Sequence, residues 1–374
     1  MPSSVLLKFN SKLNTLSKGK ELRDGLSVVV KVGNTLWLTN DETLSLERLS
    51  AHMATSPFTD EYGDHAQFAL SDFLELPLPP SPKINGKEKI EEADLEGLDF
   101  KDGYLWLVGS HSLKRAKPDK EYSNEKNLSR LAKVTADGNR FLLARIPLAE
   151  ETNTLVKNIT EGDKTRTAAR LRGDDKGNDL THHLANDEHL REFLSIPGKD
   201  NGFDIEGLAV VGERIFLGLR GPVLRGWAVI IQLELEEQDA STLKLKQIAP
   251  DQGFYRTHFL RLDGLGIREL CVQGSDLPIL AGPTMGLDGP MTVYRWRGGA
   301  QPNADRFVFD DAVEPILHIP VGHGKDAGKD HAEGMTMFSQ GDVDPPSILI
   351  VYDSTAKERQ IGTSNVKADI FRLP

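Results

Sequence analysis

The feature of this sequence that most constrains its fold is a short signature that recurs three times along the chain. Residues 94–98 read Asp-Leu-Glu-Gly-Leu, residues 204–208 read Asp-Ile-Glu-Gly-Leu, and residues 330–335 read Asp-His-Ala-Glu-Gly-Met. Each copy opens an apolar run that leads through a turn into a second run, and this second run ends in small polar residues. Units repeated in this way are typical of folds that bury their apolar faces by stacking like units together.

Two further segments keep the paired strands without the full signature. Residues 25–43 lack the Glu-Gly pair, and in residues 264–284 Glu269 lies deeper in the strand. More strand-like runs follow the pairs, among them LSRLAKVTADG, WAVIIQLELEE and MTVYRWRGG, bounded by Gly, Asp and Pro. Four antiparallel strands per repeat predict an all-β chain, a single β-propeller domain over residues 1–374 with five four-stranded blades, or six as the alternative.

The N-terminus and one internal region complete this prediction. The last repeat ends with ADIFRLP and lacks an outermost strand, which the N-terminal SVLLKFN can supply; this pairing would close the ring and cover an open edge. Residues 151–196 break the pattern with a charged stretch and then a helix-like segment, for which Asp179 is the predicted N-cap. We expect a partly helical insertion here, either a lid or a decoration.

Charge and apolar content narrow the expected partners and location. The chain carries 56 acidic and 45 basic residues, a net charge of -11, which disfavours nucleic acid as a partner. The single cysteine, Cys271, allows no intrachain disulfide. The apolar run at residues 5–7 is too short for a signal peptide, and no run reaches the roughly 18 apolar residues of a membrane span. We therefore expect a cytoplasmic protein that binds neither nucleic acid nor membrane.

Propeller topology turns the repeated signature into a predicted site. The signature opens the innermost strand of a blade, so Glu96, Glu206 and Glu333 should meet at one channel mouth, with Asp94 and Asp204 beside them. Glycine after each glutamate lets the backbone crowd the axis. Converging carboxylates repel one another, and a bound Ca²⁺ or Mg²⁺ ion, or arginine, would offset them. The alternative is structural: each glutamate accepts hydrogen bonds from the next blade and holds the blades together.

Three more residues on the same face are candidates for catalysis. His111, in a Ser-His-Ser tail, and His331, in the third signature, are placed to act as general acid or base. Arg220, in a Leu-Arg-Gly-Pro tail, is placed to hold an anion. The alternatives are that the histidines are bystanders and that Arg220 pairs with the glutamates.

The quoted motifs resemble those of a known family. The Glu-Gly signatures, with YLWLVGSHS after the first and IFLGLRGP after the second, are similar to those of the bacterial family called domain of unknown function 3616, over roughly residues 25–372. The resemblance implies a propeller-like fold and assigns no activity. Short motifs are also similar to the esterase-like phytase propellers, a resemblance that implies metal-dependent phosphoester hydrolysis only by analogy.

Two functional hypotheses follow from these observations. The first is a metal-assisted hydrolase of a small anionic ester such as a phosphoester: a cation on the three glutamates polarises substrate or water, a histidine moves the proton, and Arg220 holds the anion. The second is a non-catalytic propeller that binds a protein or a small molecule on the same face. A sugar-lactone hydrolase is a third, which would share the metal and need a less basic rim.

Overall fold

The chain is mainly β, with few and short helices. The computed structural model describes residues 2–16, 19–52, 60–79, 92–249, 253–286, 288–302, 304, 306–309, 311–321, 329–339 and 345–374. Within them lie the α-helices α1 (Ser11–Asn14), α2 (Asn124–Ala132) and α3 (Asp179–Leu184). Short 3-10 turns lie at Leu22–Asp24, Leu70–Asp72, Gly138–Phe141, Arg191–Ser195, Gly198–Asp200 and Lys357–Arg359. The all-β prediction is confirmed.

The strands are numbered in chain order. The first fifteen are β1 (Ser3–Lys8), β2 (Leu26–Val32), β3 (Thr35–Asn40), β4 (Ser45–His52), β5 (Glu61–Ala69), β6 (Leu95–Lys101), β7 (Tyr104–Gly109), β8 (Lys114–Arg115), β9 (Val134–Thr135), β10 (Leu143–Ala149), β11 (Thr154–Leu155), β12 (Asn158–Glu161), β13 (Lys164–Thr167), β14 (Ala169–Leu171) and β15 (Gly173–Asp174). The others are β16 (Gly177–Asn178), β17 (Asp204–Val211), β18 (Arg214–Leu224), β19 (Trp227–Glu237), β20 (Thr242–Leu245), β21 (Tyr255–Arg261), β22 (Gly266–Leu270), β23 (Leu277–Gly282), β24 (Met291–Trp296), β25 (Arg306–Val308), β26 (Val313–Ile319), β27 (His331–Ser339), β28 (Ser347–Asp353), β29 (Gln360–Ile361) and β30 (Asn365–Arg372).

In the described residues, the long strands form five groups of four antiparallel strands. Their orders are β2-β3-β4-β5, β6-β7-β10-β14, β17-β18-β19-β21, β22-β23-β24-β26 and β27-β28-β30-β1. The first strands of successive groups pack against one another in chain order, and β27 of the fifth group packs against β2 of the first. Repeated four-stranded units with adjacent first strands are the arrangement of a propeller-like fold.

The sequence of the inner strands explains why the groups stack. β3 (TLWLTN) and β7 (YLWLVG) are buried along their whole length. A strand that is covered on both faces reads as a continuous apolar run and shows no alternation. Buried side chains fill the space between neighbouring groups, as Trp106 and Phe203 do between the second and the third. The stacking of groups thus buries the apolar faces that no single group can cover.

The N-terminal strand joins the first group to the fifth. β1 pairs with β30 in antiparallel register from Ser3 opposite Ile370 to Lys8 opposite Asn365. It also runs parallel to β5 over two residue pairs. β1 is therefore the fourth strand of the fifth group, although its partner lies at the other end of the sequence.

Residues 151–196 lie only partly outside the groups, which refines the predicted insertion. β14 is the fourth strand of the second group. α3 begins after Asn178, whose side chain accepts a hydrogen bond from the backbone N–H of Thr181. The N-cap is therefore Asn178, and the prediction of Asp179 was wrong by one residue. Leu180, Leu184 and Leu190 are buried in the apolar cluster that also contains Phe203, so this helical stretch packs against the sheets.

A second helix lies where the sequence predicted a strand. The first five residues of LSRLAKVTADG belong to α2, whose N-cap Ser123 accepts a hydrogen bond from the backbone N–H of Lys126. Only β9 is extended here, and it pairs with β8. We call residues 113–135 the α2 loop. No residue of α2 is buried, and none of the helices in the described part of the chain has the length and apolar character needed to cross a membrane.

Candidate functional site

The first strand of each group contains a β-bulge near its start, and this bulge sets the direction of the side chain at that position. The pairing register skips one residue in each of these five strands. A bulged residue has no direct partner across the ladder, and the bulge re-aims its side chain. These equivalent positions, which we call the bulge ring, are in group order Ser27, Glu96, Glu206, Arg268 and Glu333.

The bulge ring corrects the sequence alignment of the two weaker repeats. Glu269 was the residue considered in the fourth repeat, but the structure places Arg268 at the position equivalent to the three glutamates. In the first repeat the equivalent residue is Ser27. The ring is thus three acids, one base and one hydroxyl.

The glycine that follows each glutamate is needed for close packing of the first strands, as predicted. A Cβ on Gly97 would lie 2.6 Å from the Leu208 Cβ, and one on Gly334 would lie 2.8 Å from the Val28 Cα. Both contacted residues belong to the first strand of the neighbouring group, since Leu208 is in β17 and Val28 in β2. Any side chain here would force adjacent groups apart.

Two arginines neutralise part of the ring. The Arg268 Nε lies 3.0 Å from a Glu206 oxygen, and the Arg268 Nη2 forms an ion pair and hydrogen bond with the Glu333 Oε1. The Arg220 Nη1 donates to the other Glu206 oxygen over 2.7 Å and lies 3.9 Å from the Asp204 Oδ2. Glu206 is therefore held between two guanidinium groups. The alternative in which Arg220 pairs with the glutamates describes this geometry.

Glu96 is the glutamate of the ring that the arginines do not reach. Its neighbours in ring order are Ser27 and Glu206, and it has no hydrogen-bond or ion-pair partner among the described residues. Burial raises the pKa of the Glu96 carboxyl well above its ordinary value, and nearby carboxylates, of which Asp94 contributes most, raise it further. Burial thus favours the neutral form of the Glu96 carboxyl, whereas Glu206 is ion-paired.

The predicted acids and Arg220 open into one cavity of about 420 Å³. Six of the eight predicted site residues line it: Asp94, Glu96, Asp204, Glu206, Arg220 and Glu333. Four apolar side chains of the α2 loop also line it, and we call them the apolar wall: Leu113, Ala116, Pro118 and Leu131. The cavity thus has a charged lining from the first strands, and the α2 loop lines it with the apolar wall and with Lys114, Arg115 and Lys117.

The negative charge of the cavity exceeds what its arginines offset. Burial raises the pKa of Asp204 to about 7, with Glu206 adding to the effect, and raises that of Glu333 to about 8 despite Arg268 beside it. At the rim, burial raises the pKa of Asp41 to about 7 and the nearby Asp94 raises it further. Carboxyl groups with raised pKa values in a cleft are typical of catalytic sites, although structural networks show them too.

A second cavity adjoins the first. Its volume is about 640 Å³, it lies between the first and fifth groups, and it shares Asp41, Glu42 and Asp353 with the first cavity. The strand-end acids that the sequence contains at Asp41 and Asp353 thus lie between two connected spaces. The accessible region on this face is wider than the channel mouth alone.

The structure does not bring the two predicted histidines to the carboxylates. His111 is buried, with Nδ1 2.8 Å from the Gly109 carbonyl oxygen and Nε2 2.7 Å from the Asn178 side-chain nitrogen. Burial lowers the pKa of His111 to about 4, so it is uncharged near neutrality and ties the start of α3 to β7. The His331 Nε2 lies 3.4 Å from the Asp288 Oδ1. Neither histidine lines the cavity.

Arg140 is a cavity residue that sequence reasoning missed. Its Nη1 lies 2.6 Å from the Asp94 Oδ2 and donates to the Ser112 hydroxyl over 2.7 Å. It comes from the 3-10 turn before β10, a segment that carries no repeated signature. No pattern in the sequence marks it, since its contact with Asp94 arises only from the antiparallel pairing of β7 with β10.

Within the described residues, no group of three or more His, Cys, Asp or Glu side chains is placed to hold one metal ion. Ca²⁺ and Mg²⁺ bind carboxylate oxygens, and those of Glu206 and Glu333 are engaged by arginine. Metal binding by Glu96, Glu206, Glu333, Asp94 and Asp204 stays a prediction.

The fold and the cavity define a propeller-like protein with buried carboxyl groups at one end of its first strands. The chain belongs to the family described as "Protein of unknown function (DUF3616)", whose model matches residues 25–369. This match confirms the family resemblance seen in the Glu-Gly motifs. No curated protein matches the sequence significantly.

Solved structures show only a distant similarity to this chain. The PQQ-bound aldose sugar dehydrogenase from Streptomyces coelicolor is 9% identical, with a TM-score of 0.35 and coverage of 99% of this chain and 100% of that one. An exo-β-1,3-galactanase from Phanerochaete chrysosporium is 8% identical, with a TM-score of 0.37 and coverage of 100% and 64%. A GH43 protein from Bacillus licheniformis is 9% identical, with a TM-score of 0.37 and coverage of 88% and 49%. Similarities at this level identify no activity for this chain.

Proposed function

We propose that the chain is a hydrolase of a small ester and that the cavity beside the bulge ring is its active site. The observation that carries the proposal is that one cavity holds two kinds of carboxyl group. Glu96 has no partner in the described residues, and burial raises the pKa of its carboxyl well above the ordinary value, whereas Asp204 has a pKa of about 7 and lies near Arg220. Carboxyl groups whose surroundings separate their pKa values are suited to act as acid and base in one reaction.

The reaction needs one proton donor and one proton acceptor. Ionised Asp204 accepts a proton from a water molecule, whose oxygen attacks the ester carbonyl carbon. Glu96 donates its proton to the leaving alcohol oxygen as the carbon–oxygen bond breaks. The products are a carboxylic acid and an alcohol, and the proton on Asp204 returns through solvent to Glu96. These roles replace those that the sequence assigned to His111 and His331.

Two further points are proposed separately from the hydrolase itself. The first is that the substrate is an anion, and the second is that Ca²⁺ or Mg²⁺ takes part in the reaction. Arg220 is engaged with Glu206 and donates its Nε–H to the Thr284 carbonyl oxygen, so it is not free to hold an anion. Lys117 and Lys199 line the rim and have no ion-pair partner among the described residues. They, or an added cation, would supply the positive charge that an anionic ester needs.

The test is turnover of three probes, 4-nitrophenyl acetate, 4-nitrophenyl phosphate and δ-valerolactone, each with and without Ca²⁺ or Mg²⁺. We expect the neutral ester to be hydrolysed, and Glu96→Gln to lower its kcat by roughly 10²–10⁴, the usual contribution of a general acid. Glu42→Gln is the matched control, since Glu42 lines the same cavity but pairs with Lys20 at the rim. It should leave kcat within about twofold.

The other outcomes are informative. Absence of turnover on every probe, with and without cations, would refute the hydrolase and favour the non-catalytic ligand- or protein-binding propeller. Turnover of the phosphate ester only with Ca²⁺ or Mg²⁺ would restore the metal-assisted mechanism. Turnover confined to the lactone would favour the lactone hydrolase.

We also propose that the five groups are the blades of a closed five-bladed propeller. The packing of β27 against β2 and the pairing of β1 with β30 support closure. A crystal structure is the test: a sixth group of strands, or β1 placed away from β30, would contradict the proposal.

A further inference from the structure

The apolar wall of the cavity comes entirely from the α2 loop. Leu113, Ala116, Pro118 and Leu131 belong to this loop, whereas the lining from the first strands is charged. A ligand that fills such a cavity needs a polar part and an apolar part. We infer that the substrate carries an aliphatic acyl chain that packs against the apolar wall, with Leu131 as a specificity-determining residue. This inference rests on the proposed function.

Within the described residues, no residue of α2 belongs to an apolar core cluster. Leu128 is 69% exposed and Leu131 is 41% exposed, and no residue of the helix is buried. Its side chains are tied back to its own loop: the Asn127 Nδ2 donates to the Asp119 carbonyl oxygen over 2.9 Å, and the Arg130 Nε donates to that of Lys117 over 3.0 Å. A nine-residue helix is marginal in water without a packing partner.

Polar ties hold this exposed helix at the cavity. The Lys114 Nζ lies 2.6 Å from the Asp137 Oδ2 and also pairs with Glu92. The Arg115 Nε lies 2.7 Å from the Asp200 Oδ2. These ties fix the base of the loop at the rim, where Leu131 lines the cavity while 41% of its surface stays exposed. An apolar group in the cavity would cover it and remove its surface from water.

Leu128 provides a control from the same helix. It lies three residues before Leu131, has the same chemistry and is more exposed, but it does not line the cavity. A substrate chain in the cavity should therefore be affected by a change at Leu131 and not by one at Leu128. Replacement of either leucine by alanine should leave folding intact, because both side chains are exposed.

The experiment measures binding and turnover separately on the full chain. Calorimetry with acetyl, butyryl and hexanoyl 4-nitroanilide, whose amide bond resists ester hydrolysis, reports binding, and the corresponding 4-nitrophenyl esters report kcat/KM. We expect affinity to rise about fourfold for each methylene that is buried, within the length of the wall. Leu131→Ala should reduce that increment to less than twofold, whereas Leu128→Ala should preserve it. Unfolding midpoints of both variants check that they fold.

Each outcome decides the inference. No dependence on chain length in the wild type, or equal dependence in Leu131→Ala, would overturn it. An equally large loss of the chain-length dependence in Leu128→Ala would also overturn the inference. Sedimentation data showing that a second copy of the chain binds at both leucines would do the same. A length dependence of anilide binding that Leu131→Ala abolishes would support it even if no ester is turned over, and in that case only the hydrolase would fail.

Discussion

Two sets of buried acids lie on the same first strands and have different surroundings. The glutamates of the bulge ring line a cavity, and two of them, Glu206 and Glu333, meet arginine side chains. Asp99 and Glu269, which we call the clasp pair, meet backbone instead: the Asp99 Oδ2 accepts from Val210 N–H over 2.6 Å, and the Glu269 Oε1 accepts from Leu208 N–H over 3.3 Å. Both donors belong to β17, so this strand is held from both sides.

The difference shows that holding the groups together and forming the cavity are tasks of separate residues. Sequence reasoning offered both tasks for the same three glutamates. The structure gives backbone clasping to the clasp pair and ion pairing to Glu206 and Glu333. Burial raises the pKa of Asp99 to about 7 and that of Glu269 well above its ordinary value, as it does for Glu96. A raised pKa alone therefore does not identify a site, and contact with the cavity does.

The largest effect is expected at Arg268, the cation that pairs with two glutamates of the bulge ring. Arg268→Met leaves the carboxylates of Glu206 and Glu333 without this partner, and removal of one member of a buried ion pair costs about 3–5 kcal/mol of unfolding free energy. Urea unfolding at pH 7 measures it. Arg297→Met is the control, since Arg297 is 59% exposed and pairs with Glu314 at 2.7 Å, and an exposed pair contributes about 1 kcal/mol or less. Equal costs would contradict the account of the ring.

The clasp pair should contribute to stability and not to chemistry. Asp99→Ala leaves the backbone N–H groups of Val210 and Phe100 without their acceptor, and a buried unsatisfied donor costs about 1–3 kcal/mol. Urea unfolding should show this loss, while kcat/KM on 4-nitrophenyl acetate should stay within about threefold. A large loss of turnover in a folded variant would mean that the two regions are not separate.

Replacement of Glu96 should increase the stability of the protein above neutral pH, whereas replacement of Asp99 should decrease it. A carboxyl whose folded pKa is raised stabilises the protein below its unfolded pKa, and this stability is lost as pH rises through the folded pKa. Glu96→Gln removes the titration, so the variant should exceed the wild type by on the order of 1 kcal/mol at pH 8, after allowance for solvent in the cavity, and match it at pH 4. Urea midpoints at both pH values measure this. A less stable variant at pH 8 would point to a structural partner for Glu96.

The smallest effect is expected at the rim. Asp41 has a folded pKa of about 7 against an ordinary value of 3.8, so its contribution falls as pH rises from about 4 through about 7. The Tm difference between Asp41→Asn and the wild type should grow in favour of the variant between pH 5 and pH 8, by roughly 1–3 °C. Asp64→Asn, with a side chain that is 71% exposed, should show no such trend. If the Tm difference between Asp41→Asn and the wild type did not change with pH, Asp41 would not have the raised pKa on which this prediction depends.

Much of the fold and part of the site could be predicted from the sequence, because the repeated signature encodes both. An apolar strand that opens with Glu-Gly in three copies implies equivalent positions in like units, and Gly97 and Gly334 confirm that those positions are crowded. The three glutamates indeed line one cavity. The missing outer strand of the last repeat pointed correctly to β1 as the partner of β30.

The remaining features depend on register and on contacts between distant segments. A bulge shifts the pairing by one residue and leaves no mark in composition, so Arg268 was passed over in favour of Glu269. Arg140 reaches Asp94 through strand pairing across the group. The end of α2 was assigned as strand because LSRLAKVTADG is an apolar run bounded by Asp and Gly, and the N-cap that starts the helix, Ser123, lies before this segment. His111 was placed at the site by its loop position, but its ring bonds to Asn178.

The position of β1 has a consequence for how the protein is made. This strand is synthesised before β2, whereas β30, with which it forms six residue pairs, is synthesised only after β29, on the order of tens of seconds later at ordinary rates of translation. Its two-residue contact with β5 is available much earlier. During synthesis, an apolar strand is therefore held by a small fraction of its final hydrogen bonds, and a chaperone that binds extended apolar segments would find it there.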